Sequence, residues 1–409
     1  MNPTVNKDPL RGRIALPGSK SIAARSLVCR LLSGHDTVLT NLPDCGDTRG
    51  MLRLTEAVRE ALQTGRPVVT DIGEGGTTLR FGMAACASVP GLDITLTGSP
   101  RLMQRPHSAL ISALEGAGAN ISFSAGGDAI HIIGTEPEGG RIDLDGSVSS
   151  QFISALMLAA PTWHRDTVIR MKHPVVSAPY IRMTAGVMRS FGANVEEVTL
   201  DEGMEVRVAA TGYAQCARYD VEGDWSGASY FFETRLIMEA LGMEVPEMTM
   251  PTLKSPAESL QGDSRVAAIF ADATARLRSG DRSSIILDLN EAPDLVPAVA
   301  VGLCIAGLPF RIDGVAHLRH KESDRMAAIS TELARLGYSL SAGGDFMEWT
   351  GLRCEPEKDP HIMTYLDHRM AMAFAPARLA FPSLSIENPA VVDKSFPCFW
   401  QEFDKFIQS

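Results

Sequence analysis

The sequence predicts an α/β protein assembled from six copies of one unit of about seventy residues, and two independent periodic landmarks carry that prediction. The first is a small polar residue opening an alanine-rich apolar run. It occurs at Ser21 (SIAARSLVCRLLSG), Thr77 (TTLRFGMAACAS), Ser150 (SQFISALMLAAP), Ser226 (SGASYFFETRL), Asp294 (DLVPAVAVGLCIAG) and Asp367 (DHRMAMAFAPARLA), with separations of 56, 73, 76, 68 and 73 residues. The second is a helix end, a glycine stop and a strand, read at 114–121 (LEGAGANI), 188–195 (MRSFGANV) and 333–340 (LARLGYSL). Gly118 and Gly192 are 74 residues apart, and Gly192 and Gly337 are 145 apart, about two periods.

Each element follows from local chemistry. Ser, Thr and Asp can accept the orphan N–H bonds of a first helical turn, so each run opens as an N-capped helix. The runs are apolar nearly all round, which predicts buried helices. Alternating segments such as 129–133 and 206–209 supply the strands between them. Convergent N-termini of six buried helices would bring partial positive charge and free N–H donors to one place, and such a place binds anions.

Composition narrows the class. The 409 residues include 38 Lys+Arg against 49 Asp+Glu, a net charge of −11 that argues against a nucleic-acid binder or a protein seated on an anionic membrane. The opening MNPTVNKDPL has no apolar core for a secretory leader. The longest apolar stretch, 295–310, is broken by Pro297, Gly302, Gly307 and Pro309 and is too short for a bilayer span. Seven cysteines (Cys29, Cys45, Cys86, Cys216, Cys304, Cys354, Cys398) lie singly, as expected of reduced thiols in a cytoplasmic protein.

Cations gather near the helix starts. Lys20 and Arg25 flank the first, in Pro17-Gly18-Ser19-Lys20-Ser21; Arg80 lies in the second, after Gly73-Glu74-Gly75-Gly76, and Arg105 follows in Gln104-Arg105-Pro106. Ser149-Ser150-Gln151 offers two hydroxyls and an amide. Lys321 and Arg325 are spaced i, i+4 in Lys321-Glu322-Ser323-Asp324-Arg325, Arg369 follows Asp367-His368, and Lys394 sits in Asp393-Lys394-Ser395-Phe396-Pro397. Singly, each cation reads equally as a solvated surface group and each hydroxyl as a cap; recurrence at corresponding places in the repeat favours an anion site. A P-loop is excluded, since Ser19 separates Gly18 from Lys20, and a dinucleotide fingerprint fails at Thr78. His317 and His320 lack a third clustered metal ligand. Asp294 and Glu322 read either as helix-start carboxylates or as an acid/base pair beside a cationic pocket. The residues alone reach an enzyme for small, multiply anionic substrates.

Those same residues resemble the 5-enolpyruvylshikimate-3-phosphate synthase family. The resemblance rests on Pro17 to Ser21 with Arg25, Gly76-Thr77 with Arg80, Arg105-Pro106, Ser149-Ser150-Gln151, Ser177 with Pro179-Tyr180, Asn290 to Asp294, Lys321 to Arg325, Asp367-His368-Arg369-Met370-Ala371-Met372, and Lys394 to Pro397, in family order across nearly the whole chain. It implies a two-domain inside-out α/β barrel, each domain built from three βαβαββ repeats with buried helices. The N-terminal lobe would span 18–222, and the C-terminal lobe 1–17 plus 223–409 with one repeat shortened. Hinges would lie near 17–19 and 221–225, and helix N-termini would face a cleft that closes on substrate.

The resemblance also implies a reaction. The 5-hydroxyl of shikimate 3-phosphate adds to C2 of phosphoenolpyruvate as C3 takes a proton; the tetrahedral ketal then loses phosphate and a C3 proton. No cofactor or metal is implied, and the expected partners are the two small-molecule substrates, with no nucleic acid, no membrane and a monomeric state. Carried over by position, Lys20, Ser21, Arg25, Ser149, Ser150, Gln151, Ser177, Tyr180, Asp294 and Lys321 look like shikimate 3-phosphate contacts. Lys20, Gly76, Arg105, Gln151, Arg325, Arg369 and Lys394 look like phosphoenolpyruvate contacts. Asp294 and Glu322 would be the acid/base pair, assisted by Lys20, His368 and Lys394. Gly76 leaves room where a methyl would crowd the site.

Three departures stand out. Relatives often have Asn-Ala-Gly-Thr where this chain has Glu74-Gly75-Gly76-Thr77, and Asn where it has His317. The spacing from Gln261-Gly262-Asp263 to Asp294 is short, as if a hairpin were missing, after a Pro-rich stretch at 245–256. The alternatives are a UDP-N-acetylglucosamine enolpyruvyl transferase, which typically has Lys-Asn where this chain has Lys20-Ser21, and a non-catalytic phosphometabolite-binding relative, which would not need Lys20, Asp294, Glu322 and Lys394.

Overall fold

All six apolar runs form helical structure, and each begins within a residue or two of its predicted start. The computed structural model describes residues 12–146, 149–173, 175, 178–320 and 323–409. The runs become α1 (Lys20–Ser33), α2 (Gly76–Ala87), α3 (Ser150–Ala159), α4 (Trp225–Ala240), α5 (Val296–Ile305) and α6 (His368–Phe374). Of α5 only Ile305 escapes burial, and of α3 only Gln151, so these are core helices with no solvent face.

The predicted caps shift. Ser21 and Thr77 lie inside their helices: α1 follows Ser19 and α2 follows Gly75, neither with a side-chain cap bond. The caps of α3 and α4 are Ser149 and Asp224, one and two residues before the nominated serines, because these side chains reach the N–H groups of Gln151 and Gly227. Asp294 sits in a 3₁₀ turn, Pro293–Leu295, that leads into α5. Asp367 is a true cap, accepting from Arg369 N at 2.9 Å.

The chain divides into two units, one of Gly18–Glu222 and one holding the described residues up to Pro17 with Gly223–Ser409. In the first unit α1, α2 and α3 touch one another; in the second, α4, α5 and α6 do the same. Around them lie sheets of one recurring topology. Strands Val68–Asp71, Asp93–Thr97, Ala129–Ile133 and Asn120–Phe123 are adjacent in that spatial order, the first pair parallel and the others antiparallel. Gly140–Asp145, Thr167–Lys172, Gly203–Val208 and Val195–Leu200 repeat it, as do Ile285–Asp288, Phe310–Asp313, Phe346–Trp349 and Ser341–Ala342. Period-two alternation turns Ile94, Leu96, Ile130 and Ile132 to the core, all fully buried.

Three units are therefore complete βαβαββ copies. The other three carry their helices without the closing hairpin among the described residues. In the 263–290 segment, helix Val266–Ser279 runs directly into strand Ile285–Asp288. Helix Gly46–Thr64 leads into Val68–Asp71 in the same way. The glycine stops act as predicted: Gly118, Gly192 and Gly337 take φ of 101°, 78° and 87°, a left-handed conformation that ends each helix before its strand.

Candidate active site

In the Gly18–Glu222 unit the cations gather where α1 and α2 begin. Lys20 opens α1, and its Nζ lies 2.9 Å from Asp47 Oδ2. Asp47 occupies the first turn of helix Gly46–Thr64, where the positive helix end favours a carboxylate. It also borders the glycine turn, since a Cβ on Gly75 would come within 3.1 Å of Asp47 Oδ1.

Gly76 marks the centre of a second group. A Cβ there would meet Arg105 Nη1 at 3.0 Å, Arg80 Nη1 at 3.5 Å and Gln151 Oε1 at 3.9 Å, so three elements converge on its bare backbone. Arg80 Nη1 donates to Gln151 Oε1, and its guanidinium lies 5.0 Å over the Phe152 ring, while its buried Nε has no partner. Burial first, and then the Arg105 charge, lower the Arg80 pKa to about 10, which leaves it charged at neutral pH. No carboxylate pairs with Arg80 or Arg105 among the described residues. Burial lowers the pKa of His107, and the charges of Arg80 and Arg105 lower it further, so its ring stays neutral. Two adjacent guanidinium groups beside a helix start form an incomplete ion pair that a small anion would complete.

The other nominated residues of this unit divide. Ser149 caps α3, and Ser150 is buried in its first turn. Arg25 belongs to the core. Its Nε donates to Thr184 Oγ1 at 2.7 Å, Nη1 to the Ser21 carbonyl at 2.7 Å, and Nη2 to Ser154 Oγ at 3.2 Å and the Tyr180 carbonyl at 3.3 Å. The Phe81 and Tyr180 rings flank it at 5.2 and 5.9 Å. Such a guanidinium has one N–H beyond those four bonds, so Arg25 orders Ser21 and Tyr180 more than it reaches outward.

In the other unit Asp294, 9% exposed, receives Arg325 Nη1 at 3.1 Å on one oxygen and Arg369 Nη2 at 2.7 Å on the other. Arg325 is fully buried and also donates from Nε to Asp367 Oδ2 at 2.9 Å. Two carboxylates and two guanidinium groups thus form one charge-balanced web at the starts of α5, α6 and helix Arg325–Arg335. That helix begins at Arg325 and is capped by Asp324, whose Oδ1 accepts from Ala327 N at 3.1 Å. His368 is buried in the first turn of α6, its Nδ1 3.9 Å from Asp367 Oδ1. Lys394 ends a 3₁₀ turn and is half-buried; Phe396 anchors the segment against Phe231 and Phe399 at 6.4 and 5.6 Å. Ser177, Lys321 and Glu322 lie outside the described residues.

Sequence reasoning did not nominate Asp47, Tyr230 or Asp263. Asp263 accepts from Ser226 Oγ, and its pKa is pushed up to about 7 by burial and by the charge of Asp294. Burial raises the Tyr230 phenol, whose charged neighbours include Arg369, Asp367 and Asp294. None of the three sits in a cationic motif; only contacts between distant segments bring them in. Glu74, one of the departures, is exposed. Among the described residues no group of three or more His, Cys, Asp or Glu side chains could hold a metal ion, and no helix is long and apolar enough to cross a membrane.

Buried helices that present guanidinium groups, hydroxyls and a paired carboxylate at their starts suit an enzyme of the α/β class that handles small anions. A model of the EPSP synthase (3-phosphoshikimate 1-carboxyvinyltransferase) family matches residues 5–403, and the chain belongs to that family. It is 38% identical to the 3-phosphoshikimate 1-carboxyvinyltransferase of Bacteroides fragilis strain YCH46, over 97% of this chain and 95% of that one. It is 34% identical to the enzyme of the same name from Escherichia coli O6:H1, over 97% and 96%. In fold it is similar to the EPSP synthase of Acinetobacter baumannii, with TM-score 0.73 at 20% identity over 96% of this chain and 95% of that one. It is also similar to the enolpyruvyl transferase NikO from Streptomyces tendae, with TM-score 0.62 at 14% identity over 97% and 94%.

Proposed function

We propose that this chain transfers the enolpyruvyl group of phosphoenolpyruvate to the 5-hydroxyl of shikimate 3-phosphate, with release of phosphate, in the shikimate pathway to chorismate and the aromatic amino acids. The observation that carries the mechanism is Asp294, a carboxylate at the start of a buried helix with Arg325 and Arg369 on its two oxygens. The reaction needs a proton-transfer group and an anion holder at one place, and this web supplies both. Its first step forms a C–O bond between the 5-hydroxyl and C2 as the hydroxyl proton leaves and C3 gains a proton. The second breaks the C2–O bond to phosphate as C3 loses a proton. Asp294 and Glu322 divide that proton traffic, with Lys20, His368 and Lys394 assisting. An incoming donor anion competes with Asp294 for Arg369, which releases the carboxylate to act as a base once substrate is bound.

The Gly76, Arg80, Arg105 and Gln151 group supports a phosphoenolpyruvate contact, because its two guanidinium groups have no carboxylate partner among the described residues. Lys20, held by Asp47, is a cation available for exchange onto either substrate. Ser149, Ser150, Gln151 and Tyr180, with Ser21 and Arg25 behind them, are assigned to shikimate 3-phosphate, together with Ser177, Asp294 and Lys321; Gln151, Arg105, Arg325, Arg369 and Lys394 are assigned to phosphoenolpyruvate. We place the chain in the cytoplasm, a reading supported by its free thiols and by a net charge of −11 that disfavours nucleic acid and anionic membrane; a monomeric state is carried over from the family resemblance alone.

Steady-state kinetics of Asp294→Ala and Glu322→Gln test the assignment. Each is expected to lower kcat by about a hundredfold or more while changing substrate affinity far less. A near-normal kcat in either variant removes that residue from the acid/base role.

A further inference from the structure

Tyr365 and Leu366 both have left-handed backbone, with φ of 55° and 57°, in the segment that delivers Asp367 and Arg369 to the ion web. Neither is glycine, and L side chains rarely adopt this conformation unless their surroundings hold them there. Leu366 gains nothing from burial, since it is 62% exposed. Two carboxylates hold the segment: Glu387, which accepts Thr364 N at 3.3 Å, and Glu332, fully buried on helix Arg325–Arg335, which alone also holds the Tyr365 side chain. One Glu332 oxygen accepts the Tyr365 phenol at 2.7 Å; the other accepts Met363 N at 3.1 Å and lies 3.1 Å from Arg335 Nε. Within the segment, Asp367 N donates to the Thr364 carbonyl at 2.8 Å. Arg325 and Glu332 are seven residues apart, two turns on one helix face. That face therefore grips the 363–369 segment twice, at Asp367 through Arg325 and at Tyr365 through Glu332. Burial and the Glu332 bond push the Tyr365 pKa up to about 12, so the phenol remains a donor through neutral pH.

We propose that Glu332 is a positioning residue for the transfer reaction: by holding the strained Tyr365-Leu366 turn it sets the angle at which Arg369 meets the donor anion. This rests on the assignment of Arg369 to phosphoenolpyruvate made above. Glu332 touches no reacting atom; its effect reaches substrate only through Tyr365, Asp367 and Arg369.

Two variants test it, Glu332→Gln, which keeps the shape, and Tyr365→Phe, which removes one O–H and nothing else. Both are expected to raise KM for phosphoenolpyruvate by about tenfold, with KM for shikimate 3-phosphate within about twofold of wild type and melting temperature nearly unchanged. Amide hydrogen exchange in 363–369 should quicken in both. An unchanged phosphoenolpyruvate KM in both variants overturns the proposal. So does a parallel loss in both substrates and kcat with a lowered melting temperature, since that is a purely structural role. If the wild-type protein itself releases no phosphate, the functional assignment fails and calorimetric binding of phosphoenolpyruvate decides the clamp. Weaker binding with faster exchange in Tyr365→Phe sustains it, and unaltered binding ends it.

Discussion

At position 76 a single methyl group separates two outcomes. Its carbon would stand 3.0 Å from Arg105 Nη1, closer than most real contacts, and 3.5 Å from Arg80 Nη1, an ordinary contact, so the Arg105 guanidinium would have to retreat from the turn. Gly76→Ala is therefore expected to raise KM for phosphoenolpyruvate by about tenfold with a smaller change in kcat, and initial-rate kinetics against that substrate check it. An unchanged KM would mean that the donor does not approach this backbone. The cations and hydroxyls of the site were legible because each stands at a fixed distance from a helix start. Their partners were not. Asp47, Thr184 and Ser154 lie 27, 159 and 129 residues from the cations they hold, in segments with no motif of their own. Arg25 shows the consequence, since spacing alone cannot tell a cation aimed at substrate from one spent inside the core.

Helices α4 and α5 pack through a buried acid. Glu233 is fully buried on α4; a Cβ on Gly302 of α5 would lie 3.0 Å from its Cγ, and neither carboxylate oxygen has a hydrogen-bond partner among the described residues. Burial raises its pKa well above the ordinary carboxyl value, so it is protonated in the folded chain. The unfolded chain releases that proton above about pH 4.5 and the folded chain does not. The folded state then holds more protons, and stability falls as pH rises through the window between the two pKa values, at up to about 1.4 kcal/mol per pH unit. Glu233→Gln buries a similar amide without the titration. Its melting temperature minus that of wild type should grow as pH rises above about 4.5, the unfolded value; parallel curves would show that Glu233 is not buried as an acid. The sequence run SGASYFFETRL announced a buried helix, yet nothing in its pattern marked which polar residue faced inward. The glycine stops were more readable, because Gly118, Gly192 and Gly337 each need a backbone conformation that other residues avoid. The capping residues were misplaced by a residue or two at α1 to α4, where the apolar run begins after the chemistry that starts the helix.

Across the whole molecule a charge of −11 coexists with two guanidinium assemblies of different character, one cationic and one charge-balanced. In the Gly18–Glu222 unit Arg80 and Arg105 have no acidic partner among the described residues, whereas in the other unit Arg325 and Arg369 are matched by Asp294 and Asp367. Net charge could exclude polyanions as partners but could not reveal that distribution, which depends on how remote segments meet. The sixfold repeat was legible from helix starts alone. Which copies lack a hairpin was read at 263–290, where the spacing is short; the omission at 64–68 was also written in the sequence, as the 56-residue interval between Ser21 and Thr77, the shortest of the five, and went unread. Membership of the EPSP synthase family accounts for both the repeat and the motifs, and the acceptor is what separates this activity from its enolpyruvyl relatives. The most direct measurement mixes purified protein with phosphoenolpyruvate and either shikimate 3-phosphate or UDP-N-acetylglucosamine and follows phosphate release. Release with shikimate 3-phosphate and none with UDP-N-acetylglucosamine is the predicted result; the reverse would contradict the account.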